Sequence, residues 1–410
     1  MPSPSPTPPA IPPGGSAGPR ERGEFLLAAC QGGAEEELCR RQQAVLPEVR
    51  RGAWRRGAVT FRLPAGFDPP DDFFPDLVFA RAMIRSLGQV TAATVPDLVT
   101  AALHRAGPAA WRNVHVWPRD PRADADVTGI RAALLTALGL GPQTNASAAP
   151  GDLVLDCVID TADRWWVGWH RAATPASCWP GGVYLPVDKA LHGLCPLGRP
   201  METPRVSTVG TPRILLGQTC STVCDPVPLP ADKVSRAWLK LDEAIASFGI
   251  ALTPGERACE LGAAPGGSCQ RLLEAGLEVV GIDPAVIDPR VANHPRFTHW
   301  RKRSRDVKLR EFRGFDWVVS DMNIDPVSTL EAIGRIVAEA GVRPRGIIAT
   351  LKLPTWSRAE ALPEWLTTFR RWGYVAQVRQ LSTGGREVCC YATRAKRGVS
   401  PPRARRRPGR

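Results

Sequence analysis

The C-terminal half of this 410-residue sequence predicts an α/β fold, an open and mostly parallel sheet covered by helices. The N-terminal half predicts small α+β domains ahead of it. Two observations carry the first prediction. From residue 231 onward, short apolar runs alternate with helical stretches, the pattern of strands buried on both faces. One strand-to-helix junction, Cys259-Glu260-Leu261-Gly262-Ala263-Ala264-Pro265-Gly266-Gly267, is rich in glycine where the backbone must approach a ligand. The α+β reading rests on mixed strand and helix periodicities before residue 186, with no internal repeat.

Along the chain, residues 1–23 are rich in Pro, Ser and Gly and are expected to be a disordered tail. Phe25-Leu26-Leu27-Ala28-Ala29 reads as a strand and 35–45 as a helix. Residues 58–63 and 83–87 read as further strands, so 24–90 forms one small α+β domain. In a second unit, 91–185, residues 96–105 are helical, with Pro96 at a tolerated first-turn position. Asn113-Val114-His115-Val116-Trp117 alternates like a strand, and Gly139-Leu140-Gly141-Pro142 stops a helix over 126–138. Residues 153–159 and 165–169 pair as a hairpin. Residues 186–230, with much Pro, Gly and Thr and little periodicity, are a linker or insert. Strands of the 231–394 domain are expected at 258–262, 278–283, 297–300, 317–321, 347–353, 375–381 and 388–393. Residues 395–410 form a basic tail.

Hydrophobic residues make up 43% and charged residues 23%, which places most of the chain in globular structure. No apolar run has the length of a membrane span, and Met1-Pro2-Ser3-Pro4-Ser5-Pro6 is no signal peptide, so the expected compartment is the cytoplasm. Eleven cysteines, an odd number without secretory features, argue against a disulfide framework. Cys157, Cys259, Cys389 and Cys390 lie in apolar stretches and read as buried thiols. His192, Cys195, Cys220 and Cys224 have spacings a zinc site permits but does not require, and free thiols are the simpler reading. Net charge is +13, and eight cationic residues fall between Arg394 and Arg410. Arg40, Arg41, Arg50, Arg51, Arg55 and Arg56 surround Trp54, a combination that suits phosphates and a stacked base, or else a solvated helix and turn. Trp165, Trp166, Trp169 and Trp179 read as core.

The glycine junction lacks the spacing of a dinucleotide site and the Lys-Ser/Thr of a phosphate-binding loop. Asp283, ending the next strand, suits both hydroxyls of a ribose, and Asp306, after the third, could meet an adenine amino group. A glycine-rich first turn with these two acids points to S-adenosylmethionine. Asp321 and Lys352 end the fourth and fifth strands, at the edge where ligands bind an open sheet. Lys352 follows the apolar run Gly346-Ile347-Ile348-Ala349-Thr350-Leu351, a position that predicts a depressed pKa.

Five segments together resemble one family: Ser235-Arg236-Ala237-Trp238-Leu239-Lys240-Leu241-Asp242-Glu243, the glycine junction, Ser320-Asp321-Met322, Leu351-Lys352-Leu353-Pro354 and Arg386-Glu387-Val388. This set is similar to the FtsJ/RrmJ-like 2′-O-ribose methyltransferases, and within them to the RlmM-like branch acting on a cytidine of 23S rRNA. The resemblance implies a Rossmann-like class I methyltransferase domain, preceded by a THUMP-containing RNA-binding region. It also implies a Lys-Asp-Lys-Glu tetrad at Lys240, Asp321, Lys352 and Glu387. Glu260, Gly262, Ala263, Pro265, Gly266, Gly267, Asp283, Asp306 and Asp321 would bind S-adenosylmethionine. The sequence departs from the family in Glu260 where Asp is usual, in Ser268 where an aromatic is common, and in residues 186–230. The implied chemistry is methyl transfer to a ribose 2′-oxygen of RNA, excluding DNA, with Lys352 as general base and no metal. The alternative is a catalytically silent or base-modifying RNA-binding protein of the same fold. Against base modification, Asp321-Met322-Asn323-Ile324 stands where amino-methylating enzymes resemble an Asn/Asp-Pro-Pro-aromatic pattern.

Overall fold

The computed structural model describes residues 24–75, 77–120, 125–141, 144–186 and 227–394. The expected tails, most of the 186–230 insert, and with it His192, Cys195, Cys220 and Cys224, lie outside the described residues. The chain divides into two compact units, Met1–Pro228 and Leu229–Arg410, each built on one seven-stranded sheet.

In the first unit the strands are β1 (Phe25–Ala29), β2 (Arg50–Arg55), β3 (Ala58–Arg62), β4 (Ala82–Thr91), β5 (Asn113–Pro118), β6 (Leu153–Thr161) and β7 (Arg164–Arg171). Their order is β2-β3-β1-β4-β7-β6-β5, antiparallel except for β5 against β6. The expected boundary at residue 90 falls within β4, which bonds β1 on one side and β7 on the other, so one sheet runs through both expected units. Helix α1 (Glu35–Val45) follows β1. Helices α2 (Val95–Ala106) and α3 (Val127–Ala137) cover one sheet face over a core of Leu98, Leu134, Leu155, Val167 and Trp169. Thr94 and Asp126 cap them by accepting the amides of Asp97 and Gly129. Trp165, Trp169 and Trp179 are buried, as read from the sequence.

One element was not expected. Residues around Trp54 form β2, an edge strand, and not a helix and turn. Its register shifts between Arg51 and Trp54, and nearly all its side chains face solvent.

In the second unit, helix α4 (Arg236–Phe248) precedes β8 (Arg257–Leu261) and α5 (Gly267–Glu274) follows it. Then come β9 (Glu278–Ile282), the short α6 (Pro289–Ala292), β10 (Phe297–Trp300), β11 (Trp317–Ser320), α7 (Pro326–Ala338), β12 (Gly346–Lys352), α8 (Leu362–Arg371), β13 (Tyr374–Arg379) and β14 (Glu387–Arg394). The order is β10-β9-β8-β11-β12-β14-β13, and all pairs from β10 to β12 are parallel. β14 enters antiparallel to both neighbours. The central strands are buried along their length, as their continuous apolar runs require. Strand order reverses between β8 and β11, so a crevice opens at their carboxyl ends. Among the described residues no helix is long and apolar enough to cross a membrane.

Candidate active site

The glycine junction leaves β8 at this crevice. Gly262 has φ 78°, and a Cβ there would lie 2.8 Å from Met322 Cγ, so the turn after β8 is packed against the turn after β11. Gly267 opens α5, and a Cβ there would meet Ser235 Oγ and the Trp238 amide nitrogen, which fixes α5 against the start of α4. Asp283, one residue past β9, accepts from the amide of Ala264 at 3.1 Å and that of Ala285 at 2.8 Å. The second-strand acid thus braces the glycine turn directly. Glu260 is buried, and Cys269 Sγ donates to its Oε2 at 2.8 Å. Burial pushes its carboxyl up to about 8, against the pull of that hydrogen bond. Asp306 stands apart, exposed on a 3-10 turn after β10 and paired with Arg305 at 3.9 Å.

Beside this turn four side chains meet, three from α4, β12 and β14 and one from the turn after β11. Lys352 ends β12 and Glu387 begins β14, and the antiparallel register sets them directly opposite. Lys352 Nζ donates to Glu387 Oε2 at 2.5 Å and to Asp321 Oδ1 at 3.1 Å. Asp321 is the first residue past β11. Lys240, midway along α4, closes the ring with an ion pair to Asp321 and another to Glu387 at 3.3 Å. Two cations and two anions therefore alternate, each largely shielded from solvent. Lys352 and Glu387 also face an open groove of about 470 Å³, bordered by Asn323, Asp325, Pro354 and Arg386.

The charge state of Lys352 corrects the sequence expectation. Burial does lower its pKa, but the carboxylates of Asp321 and Glu387 outweigh burial and hold it above the ordinary lysine value. The ammonium is the resting form. A strand-end position next to an apolar run supplied only the desolvation half of that balance.

Glu243 escaped the sequence reading except as the last letter of its motif. It is buried on α4, and accepts from the Ser382 and Thr383 amides at 2.7 and 2.8 Å and from the Thr383 hydroxyl at 2.7 Å. It thereby ties the helix bearing Lys240 to the loop that leads into Glu387.

The sheet order, the glycine turn at its switch point and the acid ending β9 define a Rossmann-like class I methyltransferase that uses S-adenosylmethionine. A model of the FtsJ-like methyltransferase family matches residues 233–350. Ribosomal RNA large subunit methyltransferase M of Laribacter hongkongensis is 30% identical over 264 residues, covering 55% of this chain and 72% of that protein. The proteins of the same name from Xylella fastidiosa (strain 9a5c) and Halorhodospira halophila are each 32% identical. They align over 196 and 169 residues, which cover 44% and 40% of this chain and 55% and 49% of those proteins. The chain belongs to the family of ribosomal RNA large subunit methyltransferase M, a family of RNA methyltransferases.

Proposed function

We propose that the chain methylates the 2′-oxygen of a ribose in large-subunit rRNA, a cytidine of 23S rRNA, with Lys352 as general base. The observation that carries this reading is the ring of Lys240, Asp321, Lys352 and Glu387 at the carboxyl edge of the sheet, beside the glycine turn and open to a groove. The family named above supports rRNA as the substrate. The expected place of action is the cytoplasm.

When bound, S-adenosylmethionine supplies a methyl group on a sulfonium centre, and the chain's part is to hold it and prepare the acceptor. Gly262, Ala263, Pro265, Gly266 and Gly267 would line its amino-acid end, with Glu260 beneath them and Asp283 on its ribose. Asp321, shared by the turn and the tetrad, would join the two sites. Asp306, exposed on the turn after β10, would meet the adenine amino group.

A ribose hydroxyl is a weak nucleophile, so its proton needs an acceptor within hydrogen-bond reach. Lys352 Nζ is that acceptor once it has lost its own proton. Lys240 favours that loss through like charge, while Asp321 and Glu387 oppose it and fix the nitrogen in place. Such base catalysis contributes about 100- to 10,000-fold, with positioning supplying much of the rest. The first unit, whose single sheet includes the expected THUMP-like residues 91–185, would bind the RNA, and Arg50, Arg51, Arg55 and Trp54 on β2 offer cations beside an exposed ring.

The test is transfer of labelled methyl from S-adenosylmethionine to rRNA lacking the native mark, with Lys352→Ala in parallel. A labelled dinucleotide that resists alkali, absent with the variant, is the expected product. Label on a base, or equal activity in the variant, would overturn the assignment.

A further inference from the structure

The first unit holds a second cluster of ligating side chains that the methyl-transfer site leaves unused. His115 on β5, Asp156 on β6 and His170 on β7 come from three adjacent strands. His115 and Asp156 are direct register partners, and His170 lies two residues beyond Gly168, which is Asp156's partner on β7. Side chains two apart on a strand share a face, so all three point to the side opposite α2 and α3. There the segment of 3-10 turns at Pro175–Cys178 and Pro180–Gly182 closes over them. All three residues are buried, and their ligating atoms lie within 4.8 Å of one another.

We propose that His115, Asp156 and His170 form a structural site for a divalent transition metal of the zinc class. Three observations support it. First, neither ring nitrogen of His115 has a hydrogen-bond partner, although the residue is fully buried; its nearest carboxylate atom, Asp156 Oδ1, is 4.0 Å from Nδ1. A buried imidazole without partners is costly, and a bound metal would take up the lone pair of one of its two nitrogens. Second, His170 donates its Nε2–H to the Ser177 carbonyl at 2.7 Å, which directs Nδ1 toward Asp156. Metal-bound histidines commonly make this backbone contact with their second nitrogen. Third, the Trp117 indole donates to Asp156 Oδ1 at 3.3 Å, so the carboxylate too is oriented from outside. Two imidazoles and one carboxylate are donors suited to zinc rather than to calcium or magnesium. His170 Nδ1 is hydrogen-bonded to Asp156 Oδ2 at 2.5 Å. A bound metal would replace the proton of that bond, which is released to solvent.

The experiment uses the full chain, stripped with a chelator and titrated with cobalt(II). The expected result is visible d–d absorption saturating at about one equivalent, without the near-ultraviolet band of cobalt–thiolate bonds. Zinc should also raise the thermal midpoint. Both responses should vanish in His115→Leu, while S-adenosylmethionine binding persists. A thiolate band would overturn the proposal by assigning the metal to cysteines, as would absence of binding or an unchanged response in His115→Leu. So would a His115→Leu chain more stable than the parent whether or not metal is present, because an unpaired buried histidine would then be the whole explanation. Should that variant not fold, the parent's cobalt spectrum decides, with Asp156→Asn as the second variant.

Discussion

Lys352 bears the sharpest predictions. Held above the ordinary lysine pKa by Asp321 and Glu387, it is an ammonium through the neutral range, and only the small neutral fraction can accept a proton. That fraction grows about tenfold per pH unit below the pKa, so with Lys352 as the proposed general base log kcat should climb with pH at a slope near one. Glu387→Gln removes one anion, lowers the Lys352 pKa and should move this limb to lower pH, whatever it does to the maximal rate. A pH–rate profile of the two proteins checks the direction. Lys352→Ala should lose roughly 100- to 10,000-fold in kcat with cofactor affinity nearly unchanged. Glu260 makes a prediction about stability instead. Its carboxyl is raised from 4.5 to about 8, so between those values the folded chain keeps a proton that the unfolded chain has released. Stability therefore falls as pH rises through that window, by at most about 1.4 kcal/mol per pH unit. Glu260→Gln has no proton to lose and should show a flatter dependence. Urea midpoints of both proteins, without cofactor, at about pH 5 and about pH 8 measure the difference.

Among the elements, α4 joins the parts of the site. Its Lys240 enters the ring while Glu243, one turn on, holds the loop before β14. Burial raises the Glu243 pKa although three donors to its carboxylate pull the other way. In Glu243→Gln an amide NH₂ would face a backbone N–H, leaving a buried donor unpaired at about 1–3 kcal/mol. Expected outcomes are a lower kcat with S-adenosylmethionine affinity retained, and no recovery on raising pH; affinity and rate measured together decide. Element by element, the buried strands were legible because continuous apolar runs between turn residues have few other solutions. Strand β2 was not, since Arg50-Arg51-Gly52-Ala53-Trp54-Arg55 has no apolar face and owes its conformation to pairing with β3. The sheet pattern places Asp321 and Lys352 at one edge, but the ring with Lys240 and Glu387 was legible only through resemblance. Lys352 and Glu387 meet because β14 enters antiparallel, and neither periodicity nor spacing encodes that register. His115 and Asp156 read as ordinary strand positions, and His170 lies just past the expected strand over 165–169, so alignment of the three strands alone brings them together.

For the whole molecule, the division into units is a matter of long-range pairing. The expected cut at residue 90 falls inside β4, which is shared by the strands on either side. Charge was more readily legible, because it needs no fold: the chain carries +13. A protein that neutralises RNA phosphates releases counterions, so its affinity should fall steeply with salt, by a slope of about 0.7 per phosphate contact on single strands. The exposed cations of β2 and the sequence's basic end would be separate contributors. Trp54, 53% exposed beside Arg51 and Arg55, should add stacking that salt does not screen. Arg51→Ala with Arg55→Ala should therefore flatten the salt slope by up to about 1.4. Trp54→Ala should weaken binding by about 1–3 kcal/mol at every salt concentration and leave the slope unchanged. Filter-binding titrations of an rRNA fragment across a salt series separate the two. Parallel lines for parent and arginine variant would mean that β2 does not meet the backbone, and that the cations elsewhere in the chain carry the electrostatic attraction.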